Sequence, residues 1–223
     1  MMNSLNEEGD EYMETKYQVV ALVGRSGVGK DYLINATCER HPTIFNKIMS
    51  CTTRPCRETE LENPPYVFLS LENFTRKVLA GNMLEATEFN NWFYGTLKTA
   101  LVPDKINIGV FSTGALKQLQ ANEDLNVLVI KVDAMDKTCL LRALNREECP
   151  DCEEICRRFL ADTKDLAQVE EDTLITNEDG TDSDLIQNAR ASLHIEDLWN
   201  EIHPETFFAE AIKADEVLKD NIN

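Results

Sequence analysis

The feature that most constrains the fold is the stretch VVALVGRSGVGKD, residues 19–31. It opens with apolar, mostly β-branched residues, which predict a short buried strand. Gly24, Gly27 and Gly29 indicate a turn, and Lys30 begins a segment that is typical of a helix. This spacing is typical of a phosphate-binding loop, because glycines let successive backbone N–H groups point at one anion. The helix N-terminus and the lysine add positive charge.

The last position of the loop departs from the usual pattern. Asp31 stands where a Ser or Thr hydroxyl normally holds magnesium. A carboxylate is also a hard oxygen ligand, so we predict Asp31 as a magnesium ligand. The predicted triphosphate site therefore consists of Gly24, Arg25, Ser26, Gly27, Val28, Gly29, Lys30 and Asp31.

The charge of the chain is unevenly distributed and bears on the class of partner. The net charge is −18 over 223 residues. Residues 165–223 carry 16 acids and 3 bases, whereas residues 16–164 carry 19 of each. An acidic field of this kind argues against a nucleic-acid partner. A small anionic nucleotide can still bind, because the bases can be concentrated in one cleft.

The ends of the chain and its cysteines suggest a cytoplasmic protein with no membrane partner. No apolar run reaches the roughly 20 residues that span a bilayer, and the N-terminus lacks the features of a signal peptide. Seven cysteines fit reduced thiols better than a disulfide framework. We predict a flexible acidic leader at residues 1–16 and an acidic helical extension at 190–223. The oligomeric state is left open.

The order of the predicted elements indicates an α/β fold with a parallel sheet flanked by helices, as in P-loop NTPases. A block of short strands interrupts this alternation and is interpreted as an inserted small subdomain. Strands are predicted at 18–24, 44–50, 66–68, 83–88, 92–94, 108–112, 127–132 and 173–176, and helices at 30–40, 71–80, 114–121, 137–146 and 153–166. The ligand site is expected at the carboxyl ends of the parallel strands.

Two arginines in the inserted block form a second candidate anion site. Arg54 and Arg57 are three residues apart with a proline between them, so their planar donors can converge on one anion. The alternative is a solvated loop in which the two arginines are incidental.

An ordered set of motifs over residues 18–189 resembles the guanylate kinase family. The set is the phosphate-binding loop, Ser50-x-Thr52-Thr53-Arg54-Pro55-x-Arg57, Tyr66-x-Phe68, Phe74, Gly81-x-x-Leu84-Glu85, Tyr94-Gly95-Thr96, Arg142, Arg146, Ile155-x-x-Arg158 and Asn177. Each motif alone is weak, whereas the complete set at near-family spacing is specific. The resemblance implies a domain at 17–189 with core segments 17–50 and 99–189, an insertion at 51–98 that binds a nucleoside monophosphate, and a helical lid at about 137–166.

The resemblance also implies roles for individual residues. The acceptor phosphate would be held by Arg54, Arg57, Tyr66 and Tyr94, and the guanine by Ser50, Glu85 and Thr96. The phosphate-binding loop and Asn177 would hold ATP. Lys30, Arg146 and Arg158 would be catalytic by neutralising the transferring phosphoryl group. The implied reaction is ATP- and Mg²⁺-dependent phosphorylation of GMP or dGMP.

Two features leave alternatives open. The family usually has an acid that helps to bind the base where this chain has Phe111, and the Gly-Lys-Asp ending also occurs in ribose 1,5-bisphosphate phosphokinases and in phage nucleotide kinases. A ribose 1,5-bisphosphate phosphokinase is therefore one alternative reading, and another acceptor monophosphate would also fit. A non-catalytic guanylate-kinase-like binding module is another, although such modules typically have degraded phosphate-binding loops.

Three cysteines in the segment that resembles the lid raise a separate question. Cys149, Cys152 and Cys156 include a C-x-x-C pair, which is a common zinc-binding pattern. A fourth ligand at suitable spacing is missing. Reduced thiols are the default interpretation, and zinc is the alternative.

Overall fold

The structure is a computed structural model that describes residues 17–146 and 149–178. The predicted leader and C-terminal extension lie outside these residues. In chain order the strands are β1 (Tyr17–Val23), β2 (Phe45–Lys47), β3 (Cys51–Thr52), β4 (Val67–Phe68), β5 (Met83–Phe89), β6 (Trp92–Leu97), β7 (Ile106–Val110), β8 (Leu125–Asp133) and β9 (Thr173–Thr176). The helices are α1 (Lys30–Arg40), α2 (Leu71–Leu79), α3 (Thr113–Gln120), α4 (Asp136–Leu144) and α5 (Cys152–Leu166).

A five-stranded parallel sheet in the order β2-β7-β1-β8-β9 forms the central layer. Residues 19–23 of its central strand β1 are all apolar because both faces of the strand are covered there. Val20 and Leu22 pack with residues of α1 and α4, whereas Val19, Ala21 and Val23 pack with residues of α3. All five side chains are fully buried. The predicted α/β fold with a parallel sheet and helices on both faces is confirmed.

The inserted block forms a second sheet in the order β4-β3-β6-β5. Strands β5 and β6 are an antiparallel hairpin in which Phe89 pairs with Trp92. Asn90 and Asn91 at its turn have φ values of 50° and 62°, a region that Asn tolerates better than most residues. The side chain of Gln118 in α3 ties this sheet to the core by bonding the backbone of β5.

The structure moves several predicted boundaries. Strand β7 runs over Ile106–Val110 rather than 108–112, because Ser112 is the N-cap of α3 and its Oγ accepts a hydrogen bond from Ala115 N at 3.2 Å. The two-residue strand β3 was not predicted, and neither were the 3₁₀ helices at Glu58–Glu60 and Lys98–Ala100. Of the helices within 17–146 and 149–178, none has the length and apolar character that crossing a membrane needs.

Candidate active site

The phosphate-binding loop joins the carboxyl end of β1 to α1, and two of its glycines are required by close contacts. Gly27 has φ 85°, and a Cβ there would lie 2.2 Å from the carbonyl oxygen of Cys139. Gly29 has φ 94°, and a Cβ there would lie 2.5 Å from Nδ2 of Asn177. These distances are far inside van der Waals contact, so only glycine permits the loop to pack this closely on α4 and on the segment after β9.

Lys30 points back into the loop that precedes it. Its Nζ donates hydrogen bonds to the carbonyl oxygens of Gly24 at 2.6 Å and Arg25 at 3.0 Å. Burial lowers the pKa of Lys30 to about 8, because the charged ammonium is removed from water. A lysine held in this way carries its charge to the centre of the predicted donor site.

Four other charged side chains affect the pKa of Lys30 and therefore lie near it. Asp31 and Asp162 raise its pKa, whereas Arg146 and Arg158 lower it further. Arg146 and Arg158, two of the residues predicted to be catalytic, therefore lie within electrostatic range of the third, Lys30. In the described part of the chain, the buried Nε of Arg158 donates no hydrogen bond, and its guanidinium lies 5.9 Å from the ring centre of Phe89.

Asn177 holds the phosphate-binding loop by a hydrogen bond to its backbone. Its side chain is almost fully buried, and its Nδ2 donates to the carbonyl oxygen of Val28 at 2.8 Å. Arg142 donates from Nη1 to the carbonyl oxygen of Asn177 at 3.1 Å. The predicted donor-site residue thus lies against the loop, and its amide group is engaged by the loop backbone.

Arg25 is held by contacts that the sequence did not reveal. Its Nη2 donates to Asp133 Oδ1 at 2.7 Å and to the carbonyl oxygen of Ala134, and its Nη1 donates to Asp136. Its guanidinium also lies 5.1 Å above the ring centre of Phe159 in α5. Arg25 therefore joins the loop to the end of β8, to α4 and to α5.

A buried polar cluster in the inserted sheet forms the predicted base site. Glu85 on β5 pairs with Thr96 on β6, and Thr96 Oγ1 donates to Glu85 Oε1 at 2.8 Å. Ser50 Oγ lies 3.3 Å from Thr96 Oγ1. Glu85 is only 5% exposed, and this burial raises its pKa to about 7 despite the hydrogen bond from Thr96. The structure brings together all three residues that were predicted to read guanine.

The two predicted phosphate-binding arginines are organised by a carboxylate that the sequence analysis missed. Arg54 Nη2 donates to Glu60 Oε1 at 2.8 Å, and Glu60 Oε2 accepts from the backbone N–H of Arg57 at 3.0 Å. The Arg54 guanidinium also lies 5.7 Å from the ring centre of Tyr66 and 5.4 Å from that of Phe68. The position of Glu60, three residues after the second arginine, was the available signal.

Tyr66 lies within range of charges from both predicted anion sites. Its ring lies 5.8 Å from that of Tyr94 in an edge-to-face arrangement. Burial is the main cause that raises the pKa of Tyr66, and the charge of Asp31 raises it too, whereas Arg54 and Arg158 lower it. The phenol therefore lies within range of charges from the phosphate-binding loop and from α5. Tyr66 is therefore near charged groups of both predicted anion sites.

Comparison with known proteins gives the family. The family model described as guanylate kinase matches residues 16–188. The chain belongs to the guanylate kinase family. It is 32% identical over 169 residues to a guanylate kinase of Frankia casuarinae, covering 72% of this chain and 89% of that protein. It is 28% identical over 171 residues to one of Trichormus variabilis, covering 73% and 83%.

Two further comparisons define the limits of the likeness. The match to a guanylate kinase of Thermosynechococcus vestitus is 41% identical but spans 85 residues, 38% of this chain and 44% of that protein. Several of the matches thus span less than half of the relative's length. The crystal structure of guanylate kinase from Anaplasma phagocytophilum is similar with a TM-score of 0.57 at 21% identity, covering 85% and 88% of the two chains. That structural likeness shows the fold.

One position of this guanylate kinase family member, Phe111, is buried in the apolar core. Phe111 is 6% exposed and packs in the same apolar cluster as Ile48, Leu101 and Leu116. Its ring therefore fills the core at the end of β7 and offers no hydrogen-bonding group to a base. The predicted base site of Ser50, Glu85 and Thr96 therefore receives no acid from β7.

The cysteines near the start of α5 are exposed thiols. Cys149, Cys152 and Cys156 are all free and exposed. Among the residues that the structure describes, no three His, Cys, Asp or Glu side chains lie together as a metal-binding group. Reduced thiols remain our interpretation of this segment.

Proposed function

We propose that this protein transfers the γ-phosphoryl group of ATP to GMP or dGMP. The observation that carries the proposal is the buried Glu85–Thr96 pair, which lies in the same inserted sheet as β3, the strand just before Arg54. An ionised, buried carboxylate that still has lone pairs free to accept hydrogen bonds suits the adjacent N–H donors of guanine. Membership of the guanylate kinase family supports the same acceptor.

The acceptor would be bound by its two ends. The guanidinium of Arg54 and the side chain of Arg57 would bind its phosphate, with Tyr66 and Tyr94 at the side of the site. Glu60 keeps Arg54 in place, because the ion pair is only 13% and 14% exposed at its two side chains. Fixing both ends of the acceptor would aim a phosphate oxygen at the donor, which supplies much of the rate in such reactions.

The transfer itself would proceed in line. An oxygen of the acceptor phosphate forms a bond to the γ-phosphorus of ATP, and the bond from that phosphorus to the β–γ bridging oxygen breaks as ADP leaves. The acceptor phosphate is already ionised, so no general base is required. Lys30, Arg146 and Arg158 would neutralise the charge that develops on the transferring group.

The residues present fit a magnesium ion at the donor site. Asp31 lies in the first turn of α1 beside Lys30, and it is exposed. A carboxylate is a ligand that Mg²⁺ accepts, directly or through water. When bound and held by Asp31, the ion would offset part of the negative charge of the donor phosphates. We therefore infer that Asp31 takes the role that a Ser or Thr hydroxyl has in the usual loop.

The alternatives from the sequence receive less support. Ribose 1,5-bisphosphate has no base, and it would leave the buried Ser50, Glu85 and Thr96 cluster without a ligand. A non-catalytic module has no need of the contacts that hold Lys30 and the glycines of the loop. Since Phe111 gives the base no partner, we expect guanine selectivity over adenine to rest on Glu85 and Thr96.

The proposal is tested by a coupled ADP-release assay with GMP, dGMP, AMP, UMP and ribose 1,5-bisphosphate as acceptors. We expect turnover with GMP or dGMP to exceed that with the others, and a Lys30→Ala variant to lose it. ATP-dependent product formation is checked by chromatography. No turnover with either guanine nucleotide would refute the proposal.

The magnesium role of Asp31 has its own test. Asp31→Asn should lower kcat by about tenfold or more with little change in GMP affinity, because the acceptor is bound by other residues. The required Mg²⁺ concentration should also rise. Asp104→Asn, an exposed substitution before β7, is the matched control. An unchanged kcat and Mg²⁺ dependence would rule out a metal role for Asp31.

A further inference from the structure

One face of α5 lies over the phosphate-binding loop. Arg158, Phe159 and Asp162 are spaced so that they share this face, since residues three and four apart are neighbours on a helix. The Phe159 ring lies under the Arg25 guanidinium. Asp162 reaches the backbone of the loop itself, because its Oδ2 accepts a hydrogen bond from Ser26 N at 2.7 Å. The two residues are 136 positions apart in the chain.

The contact of Asp162 is chemically the contact that a donor phosphate would make. The loop presents backbone N–H groups to an anion, and the Asp162 carboxylate is an anion that accepts from one of them. It also acts electrostatically on Lys30, the charge at the centre of the donor site. A backbone N–H has one hydrogen, so a phosphate oxygen and the carboxylate compete for it.

We propose that Asp162 is an internal anion that occupies part of the donor site in the nucleotide-free protein and sets its affinity for ATP. ATP binding requires the Asp162 carboxylate to leave the Ser26 amide. This happens either by rotation of the Asp162 side chain or by a shift of α5. Asp162 is a positioning residue, because it acts through the loop and through Lys30. The inference rests on the proposed function only in naming ATP as the anionic donor.

The proposal predicts a gain of affinity, which a structural role would not produce. Asp162→Ala removes both the competing acceptor and a negative charge that repels the phosphates. Asp162→Asn removes the charge and leaves an oxygen that can still accept from Ser26. ATP should therefore bind most tightly to the Ala variant, more weakly to the Asn variant and most weakly to the unaltered protein. The KM for ATP should fall in parallel, while the KM for GMP stays unchanged.

The direct test is calorimetric titration of the full chain with Mg·ATP, with Asp165→Asn as the matched control. Asp165 lies on the same helix and carries the same charge, but it borders a surface cavity with Thr113 and Lys117 of α3 instead of the loop. We expect the Kd for ATP to fall by about tenfold or more in Asp162→Ala, given the strength of hydrogen bonds to charged groups. Asp165→Asn should leave the Kd within about twofold.

A second measurement does not depend on ATP binding or on catalysis. Hydrogen exchange of the Ser26 amide in the nucleotide-free protein should be faster in Asp162→Ala than in Asp165→Asn, because the acceptor is lost. If the proposed function fails, GMP is not phosphorylated, yet this exchange still reports on the contact. An ATP Kd that is unchanged or raised in both Asp162 variants would overturn the proposal, as would unchanged exchange at Ser26.

Discussion

The buried carboxylate of Glu85 predicts an unusual pH dependence of acceptor binding. Glu85 is 5% exposed, and burial raises its pKa from 4.5 to about 7. Only the ionised carboxylate can accept hydrogen bonds from two guanine N–H groups without losing an acceptor site to its own proton. Lowering the pH through 7 should therefore weaken the binding of GMP.

The size of the effect follows from the fraction of Glu85 that is ionised. With a pKa of about 7, roughly 90% of the carboxyl groups are charged at pH 8 and roughly 10% at pH 6. The Kd for GMP should therefore rise by about ninefold between these two pH values. The phosphate of GMP also titrates near pH 6, which adds about twofold to the effect.

The same group predicts a pH dependence of stability with the opposite sign to that of an ordinary paired carboxylate. Between pH 4.5 and about 7 the folded protein binds a proton at Glu85 that the unfolded chain has released. The free energy of unfolding should therefore fall as the pH rises through this window. The loss amounts to roughly 3 to 4 kcal/mol, because the pKa rises from 4.5 to about 7 and each pKa unit is worth about 1.4 kcal/mol. Glu85→Gln should abolish it.

The assay compares the unaltered protein with Glu85→Gln and with Glu88→Gln, an exposed control on the same strand. The Kd for GMP is measured by calorimetry at pH 6, 7 and 8, and the stability by urea unfolding from pH 4.5 to 8. We expect Glu85→Gln to bind GMP weakly with only the small dependence that phosphate causes, and to gain relative stability at pH 8. Parallel profiles for all three proteins would refute the reasoning.

Three other predictions test separate parts of the site. Because Lys30 has a pKa of about 8, its charge is present below that pH and lost above it, so the Kd for ATP should rise by roughly tenfold from pH 7 to pH 9, as titration calorimetry can measure. Glu60→Gln should raise the KM for GMP by about tenfold, with kcat for the saturated enzyme little changed, because Arg54 loses its partner; an unaltered KM would contradict this. Gly27→Ala should lower the free energy of unfolding, measured by urea unfolding, by about 3 kcal/mol. The control is Gly81→Ala, which should lower it by only about 1 kcal/mol, because Gly81 has φ 68° but nothing lies within 4 Å of the added Cβ.

The sequence predicted the parts of the fold that local patterns specify. The helix at Lys30–Arg40 and the strand at Thr173–Thr176 have the predicted bounds. The strands predicted at 83–88 and 92–94 are present as parts of β5 and β6. Glycine spacing and apolar runs act over a few residues, so their consequences can be predicted without knowing the rest of the structure.

The sequence also predicted which residues lie together in the inserted sheet, since Ser50, Glu85 and Thr96 are in hydrogen-bond contact. The sequence did not predict the pKa of Glu85. The pKa of Glu85 depends on how completely the inserted sheet buries it, and burial is a property of the packed structure. The same holds for Phe111, whose loss of a polar group was visible but whose place in the core was not.

By itself, then, the sequence determined a strand, a glycine-rich anion-binding loop and a helix, together with the set of charged residues available to a second anion site. Only the tertiary structure decided how those charges are paired: Glu60 with Arg54, Asp133 and Asp136 with Arg25, and Asp162 with the Ser26 amide. The physical reason is range. Backbone conformation follows from neighbours in the chain. The carboxylate that accepts from the Ser26 amide belongs instead to a residue 136 positions away, which the burial of apolar faces on both sides of the sheet brings close.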